Sequence, residues 1–440
     1  MNGEKLSFDD ALPLFAHHIV HSLGADALEN GRFIRDVFGR LAYVGRGEKD
    51  YFRSAQSDLP IALHPFLMNG GKTGDVICVT SDDDMAARLL NDPYLSVRVT
   101  RQGTEYRINL IDRRLAGEDW LVLSDIEPPV APKRFAFYSI KGGVGRSTAL
   151  CVAAAELARR GQRVLAVDFD LEAPGLGSLL RKEDKVPDYG VVDWFVAAGL
   201  GMHDDMLLDD LIGESVFTTG DGFVDVVSAG GKKTLENAGD YLGKLARVYT
   251  PGAAKGEFVG RSFTAKAAAF LQRLEANKSY DTVLIDVRAG LHETSAASVL
   301  GLGAEVLMFA ADSAQNFDDY RYLFGHLSRL VETDPSKAAF RERLKMVQGK
   351  APPLERDRKP FTDACWGLWL NGLYDVADAD APDAFSFDLD NEEAPHYPLY
   401  VIGTDVYSRF DPRKNPELLD TNFYNAFFGA FVDYFSDGQT

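Results

Sequence analysis

The chain is short of cysteine, of positive charge and of long apolar runs, and each shortage removes a class of protein. Three cysteines among 440 residues, Cys78, Cys151 and Cys365, stand far apart in no metal or redox spacing. Neither a disulfide framework nor a thiolate metal site is expected. Lysine and arginine number 47 against 66 aspartates and glutamates, a formal charge of −19. That balance disfavours broad attraction to DNA or to an anionic membrane, and only a local basic patch would serve for DNA. No stretch approaches the roughly 20 apolar residues of a membrane span, and the first residues have no apolar signal core. A cytoplasmic protein without membrane association is expected.

What the chain does have is length enough for two or three domains and one stretch of dense information. Arg134 to Leu150 reads RFAFYSIKGGVGRSTAL. An unbroken apolar run, the pattern of a strand buried on both faces, passes through glycines into an alanine-rich helix. Gly142, Gly143 and Gly145 let the backbone take positive φ and approach a ligand closely. Amides of this kind, backed by the positive end of a helix, cradle phosphate oxygens. Val144 and Thr148 complete the loop, Ser147 is placed to offer a hydroxyl to Mg2+, and Arg146 to offer a guanidinium to the phosphates.

The string KGGVGRST resembles the deviant phosphate loop of the ParA and MinD group of ATPases. The resemblance implies ATP and magnesium as ligands. It also implies that Lys141 crosses a two-fold interface to the phosphates of a second subunit. Two departures stand out: Arg146 replaces the usual loop lysine, and Ile140 replaces the glycine that often opens the loop. Arginine keeps charge and donors but is longer and forked, so phosphate binding is expected to be kept and the catalytic geometry to differ.

From Arg134 onward strands alternate with helices, as in a doubly wound, mostly parallel α/β sheet. The strand RVLAVD delivers Asp168-Phe169-Asp170 at its C-terminal end, on the ligand side of such a sheet. One carboxylate there can hold magnesium-bound water and the other can orient an attacking water. By resemblance Asp170 is the catalytic aspartate and Asp168 acts on the metal through water, with Leu171 to Leu180 as a moving segment. The run Asp281 to Asp286 ends in a carboxylate that can face magnesium. Asp286-Val287-Arg288-Ala289-Gly290 resembles the family's D-x-P-x-G, in which Gly290 can give its amide to the terminal phosphate. Arg288 stands where proline is usual, either as a charge sensing phosphate in cis or as a surface residue contacting a partner. The loop from Thr404 to Phe410 is expected near the base. Adenine follows from the resemblance alone, since no guanine-reading N-K-x-D follows a strand.

Residues 1–125 read as a small α+β module. Apolar spacing predicts helices over Phe8 to Leu23 and Arg32 to Tyr43, then a strand from Val76, a helix from Ser81, and strands LSVRV, YRINLI and DWLVL. His17 and His21 share a helix face, but no acidic or thiol ligand is placed beside them, so packing is the expected role. Residues 69–74 imitate a phosphate loop with no strand leading in, and are read as a turn. The prolines of 126–133 predict a stiff linker. Beyond it, 134–440 is read as the ATPase domain, with an acidic insertion near 375–393 that holds no lysine or arginine. The aromatic segment from Phe423 is amphipathic but acidic, so it is expected to pack on the sheet.

The function expected is a magnesium-dependent ATP-hydrolysing switch. Its ATP-bound homodimer is expected to control a protein partner through residues 1–125. The alternative is a nucleotide sensor with negligible turnover because of Arg146. A third class, an amidoligase or kinase on the same fold, needs a substrate pocket that the sequence does not reveal.

Overall fold

The computed structural model describes residues 6–47, 49–68, 76–79, 84–121, 123, 128–202, 208–217, 221–250, 262–375 and 384–435. The turn read over 69–74 lies outside them, as do residues 81–83, 126–127 and 376–383, on which other readings fell. The chain divides into two compact units, Met1–Leu121 with Ser328–Ala338, and Val122–Leu327 with Ala339–Thr440.

In the first unit, α1 (Phe8–Leu23) and α2 (Asp26–Asn30) precede β1 (Arg32–Arg35) and β2 (Leu41–Gly45). After these come α3 (Lys49–Ser57), β3 (Ile77–Val79), α4 (Asp84–Leu89), β4 (Leu95–Arg101) and β5 (Thr104–Asp112), in a sheet of order β3-β2-β1-β5-β4. The helix expected over Arg32 to Tyr43 is instead an antiparallel hairpin, with Phe33 paired to Tyr43 and Arg35 to Leu41. Its turn is made by Asp36, whose Oδ1 accepts the N–H groups of Phe38 at 2.9 Å and Arg40 at 2.8 Å, and by Gly39 at φ +85°. Short apolar runs fit a helix or a buried strand equally well, and the Asp-x-x-Gly turn was the signal that separated them. DWLVL likewise does not continue the sheet: Glu118–Leu121 is a 3-10 turn that buries Trp120. His17 Nδ1 lies 2.7 Å from the Tyr106 hydroxyl, and no group of three metal-ligating side chains occurs among the described residues. Ser328–Ala338 joins this unit because Thr333 Oγ1 accepts the Ser96 N–H at 2.7 Å and Arg107 donates to the Glu332 carbonyl at 2.9 Å.

The second unit opens with β6 (Lys133–Ser139), α5 (Arg146–Arg159), β7 (Arg163–Phe169), α6 (Leu176–Leu180), α7 (Val191–Leu200), β8 (Ile212–Glu214) and β9 (Phe223–Val227). It continues through α8 (Lys232–Glu236), α9 (Tyr241–Val248), α10 (Phe263–Asn277), β10 (Thr282–Val287), α11 (Glu293–Ala296), β11 (Glu305–Ala310) and α12 (Ala314–Thr333), whose residues from Ser328 onward are counted with the first unit. Last come β12 (Leu344–Ala351), α13 (Glu355–Gly372), β13 (Leu399–Ile402) and α14 (Thr421–Asp433). The sheet order is β13-β12-β11-β6-β10-β7-β9-β8, parallel except where β8 meets β9. This is the P-loop nucleoside-triphosphatase arrangement, with β6 in the interior and β10 between it and β7.

The alanines of α5 are small enough to lay that helix against the sheet, and Ala149, Ala153, Ala154 and Ala158 are wholly buried. The aromatic α14 covers the same face, with the Phe431 ring 6.1 Å from Phe137 and the Phe435 ring 4.8 Å from Phe135. Its apolar face is therefore used internally. Elsewhere the Trp194 and Phe270 rings pack tilted at 4.6 Å, and Phe324 meets Trp369 edge-on at 5.3 Å. Cys151 and Cys365 are free and buried. Among the described residues no helix is long and apolar enough to cross a membrane.

Candidate functional site

The loop between β6 and α5 takes its shape from two glycines. Gly143 has φ +76° and Gly145 φ +94°, the left-handed region that other residues enter at a cost. A Cβ at either would meet nothing within 4 Å, so conformation and not crowding demands glycine there. Gly142 does not share the positive φ expected of it. Gly145 is the N-cap of α5, whose fourteen residues start at Arg146. The loop thus offers a helix N-terminus with its unpaired amides.

Parallel pairing brings the carboxylates together. Asp168 on β7 and Asp286 on β10 are register partners at the C-terminal ends of adjacent strands. Ser147 Oγ donates to Asp286 Oδ2 at 2.7 Å, while Asp286 Oδ1 is buried without a hydrogen-bond partner among the described residues. Burial pushes the Asp286 carboxyl up to about 6, against the pull of Arg146 and the Ser147 hydroxyl. A hydroxyl beside a carboxylate with a free oxygen suits a hard cation such as magnesium. Asp168 is wholly buried, and burial, with Asp286 and Asp170 nearby, raises it well above the carboxylate range. Its oxygens accept the N–H groups of Asp170 at 3.1 Å, Gly175 at 3.2 Å and Leu176 at 3.1 Å. In this structure Asp168 therefore shapes the Leu171 to Leu180 segment.

Arg146 is where expectation and geometry differ most. Its side chain is buried, donates Nη1 to the Val287 carbonyl, and sets Nη2 3.6 Å from Asp170 Oδ2. It points to the end of β10 and to Asp170. Burial raises Asp170, with Arg146 opposing. Lys141 is paired within its own chain, its Nζ 2.7 Å from Asp319 Oδ2 on α12. Gly290, at φ +97°, has its N–H occupied by the Ser139 carbonyl at 3.0 Å, so that amide is not free for a phosphate here. Thr148 sits beside Ser147 in the first turn of α5. In the Thr404 to Phe410 loop, Tyr407 packs its ring 4.9 Å from Phe428.

Residues 135–305 match the model of the CobQ/CobB/MinD/ParA nucleotide binding domain. The matched stretch, from β6 to the start of β11, is ParA/MinD-like. Among solved structures, the ParA family ATPase from Chlorobium tepidum is 16% identical, with TM-score 0.41, over 69% of this chain and 98% of that one. The cell division ATPase MinD from Pyrococcus furiosus is 21% identical, with TM-score 0.33, over 51% and 75%. Cobyrinic acid a,c-diamide synthase from Mycobacterium smegmatis, solved with ADP and magnesium, is 18% identical, with TM-score 0.36, over 56% and 85%. No curated protein matches the chain.

Two features of the ParA/MinD-like domain escaped the sequence reading. Gly349 near the end of β12 lies so close to the loop that a Cβ there would stand 2.1 Å from the Val144 carbonyl oxygen. A glycine inside a strand run was the available signal. Glu172, the second residue after Asp170, accepts Arg288 Nη1 at 2.8 Å and the Tyr249 hydroxyl at 2.6 Å. Arg288, read as a phosphate sensor or a partner contact, is thus engaged within its own domain. Nothing local in the sequence marks that pairing.

Proposed function

We propose that this protein binds ATP with magnesium in the loop between β6 and α5 and hydrolyses it slowly, as a switch. The observation that carries the reading is the Ser147 to Asp286 hydrogen bond at 2.7 Å, beneath the glycine loop, with Asp286 Oδ1 left unpartnered. Ser147 and Asp286 would hold magnesium, with Asp168 acting through water. The cation would supply neutralisation of phosphate charge. The chain's own residues do the rest: the α5 N-terminus binds phosphate, Arg146 adds a forked cation, and Asp170 takes up the orientation of an attacking water once Arg146 turns away. Lys141 would leave Asp319 to reach a second subunit, so that ATP is enclosed between two chains. Residues 1–125 then carry the nucleotide state to a protein partner in the cytoplasm.

A second reading, a nucleotide sensor with negligible turnover, is favoured by the Arg146 to Asp170 contact at 3.6 Å, which occupies the carboxylate meant to orient water. Calorimetry with ATP, with and without magnesium, tests binding. Phosphate release under excess ATP separates the readings: steady release supports the switch, and tight binding without release supports the sensor. Absence of binding would overturn both.

A further inference from the structure

Behind the loop and its carboxylates, three chain segments meet on one oxygen. Glu172, on the segment leaving β7, has a side chain 17% exposed, and its Oε1 lies 2.8 Å from Arg288 Nη1 and 3.5 Å from His292 Nε2. Tyr249, which directly follows α9, donates its hydroxyl to the same oxygen at 2.6 Å. Arg288 and His292 belong to the segment leaving β10. The residues that bear the chemistry are immediate neighbours: Asp170 precedes Glu172 by two positions, and Asp286 precedes Arg288 by two.

Each arm of the cluster is fixed from behind. Lys266 on α10 is wholly buried, and its Nζ donates to the carbonyls of Val248 at 2.7 Å and Thr250 at 2.9 Å, on either side of Tyr249. A buried ammonium is costly unless it is paired or hydrogen-bonded, so its donation to these two carbonyls ties down the backbone around Tyr249. The Tyr249 ring meets His292 nearly edge-on at 4.8 Å, the Tyr241 hydroxyl donates to the Leu171 carbonyl, and the Ser295 hydroxyl donates to the Arg288 carbonyl at 3.1 Å. The segments after two parallel strands have no ladder to hold them together. A partly buried charge pair supplies the link, and losing one partner leaves the other's charge unpaired.

We propose that Arg288 and Tyr249, acting through Glu172, are positioning residues that lock the segments after β7 and β10 into one arrangement. Asp170 is set for turnover only while the Glu172 to Arg288 pair is made. This rests on the nucleotide site proposed above.

The test uses the full chain, with calorimetry for ATP, phosphate release, and hydrogen exchange of peptides 168–176 and 286–293. In Glu172→Gln, Arg288→Gln and the double variant, ATP affinity stays within about twofold while release falls roughly tenfold, a loss of turnover without a loss of binding. The double variant is no slower than the worse single, because both remove one interaction. Exchange in both peptides rises together. Tyr249→Phe, which deletes one hydroxyl and keeps the ring, gives a smaller loss in the same direction and covers the case in which a charge variant fails to fold. Wild-type release from Glu172→Gln, Arg288→Gln and Tyr249→Phe, or losses that simply add, would overturn the lock while leaving the nucleotide site standing. A wild type that binds no ATP would remove the site and the lock together. If wild type binds without release, the exchange data decide: ATP protection of 168–176 that persists in Glu172→Gln refutes the lock.

Discussion

The guanidinium of Arg146 stands 3.6 Å from the carboxylate of Asp170, a cation from the first turn of α5 against an acid from the end of β7. Both are mostly buried, and Arg146 also holds the Val287 carbonyl. On the proposed reading, a phosphate arriving at the loop would compete with Asp170 for the same donors. Arg146→Ala is expected to weaken ATP binding by about 1.5 to 3 kcal/mol, the range for a charged hydrogen bond. Calorimetry reads it directly, and unchanged affinity would remove Arg146 from the phosphate site.

Asp170→Ala separates binding from turnover. The loop, Ser147 and Asp286 remain, so ATP affinity should be kept or slightly improved as Arg146 loses its competitor. Phosphate release should fall about 100-fold or more, the usual scale for a positioned acid or base. Wild-type release would show that another carboxylate orients the water.

Lys141 and Asp319 offer a test of dimerisation. Their contact at 2.7 Å is partly exposed, with side-chain accessibilities of 39% and 22%, so releasing it costs no more than about 1 kcal/mol. Asp319→Ala should lower the protein concentration at which ATP produces a dimer. Lys141→Ala should bind ATP yet stay in its nucleotide-free state by light scattering. A mass that ignores ATP in wild type would end the sandwich idea.

Gly349→Ala places a Cβ where the Val144 carbonyl now stands. Either β12 or the loop must shift, at a cost of about 1 to 3 kcal/mol for overpacking. Weaker ATP binding is expected beside the lower melting temperature. Stability lost with affinity intact would mean that the strand yields and the loop does not.

Glu156 gives the sign of one pH effect. Burial works against its charge, but hydrogen bonds from Arg159, Tyr424 and Arg160 hold the carboxyl down to about 2, from 4.5 when unfolded. A depressed folded value means stabilisation that is fully present above about 4.5 and lost as pH falls toward about 2. Thermal melts of wild type and Glu156→Gln should differ most near pH 6 and converge in acid. A constant difference across that window would contradict the assignment.

Local chemistry wrote the loop, the alternation of strands with helices and the strand-end carboxylates into the chain, because a buried parallel strand, positive φ at glycine and an aspartate at a strand end each leave a mark within a few residues. The hairpin at Arg32–Arg35 and Leu41–Gly45 was missed where apolar runs were too short to show a period. What only the tertiary structure decided are contacts between residues far apart in sequence. Asp286 faces Asp168 because β10 inserts between β6 and β7. Arg146 turns to Asp170, Lys141 to Asp319, and Glu172 gathers Arg288 and Tyr249. Side-chain direction in these pairs is set by which strands are neighbours and by the low dielectric between them, and neither quantity is local to the residues it governs.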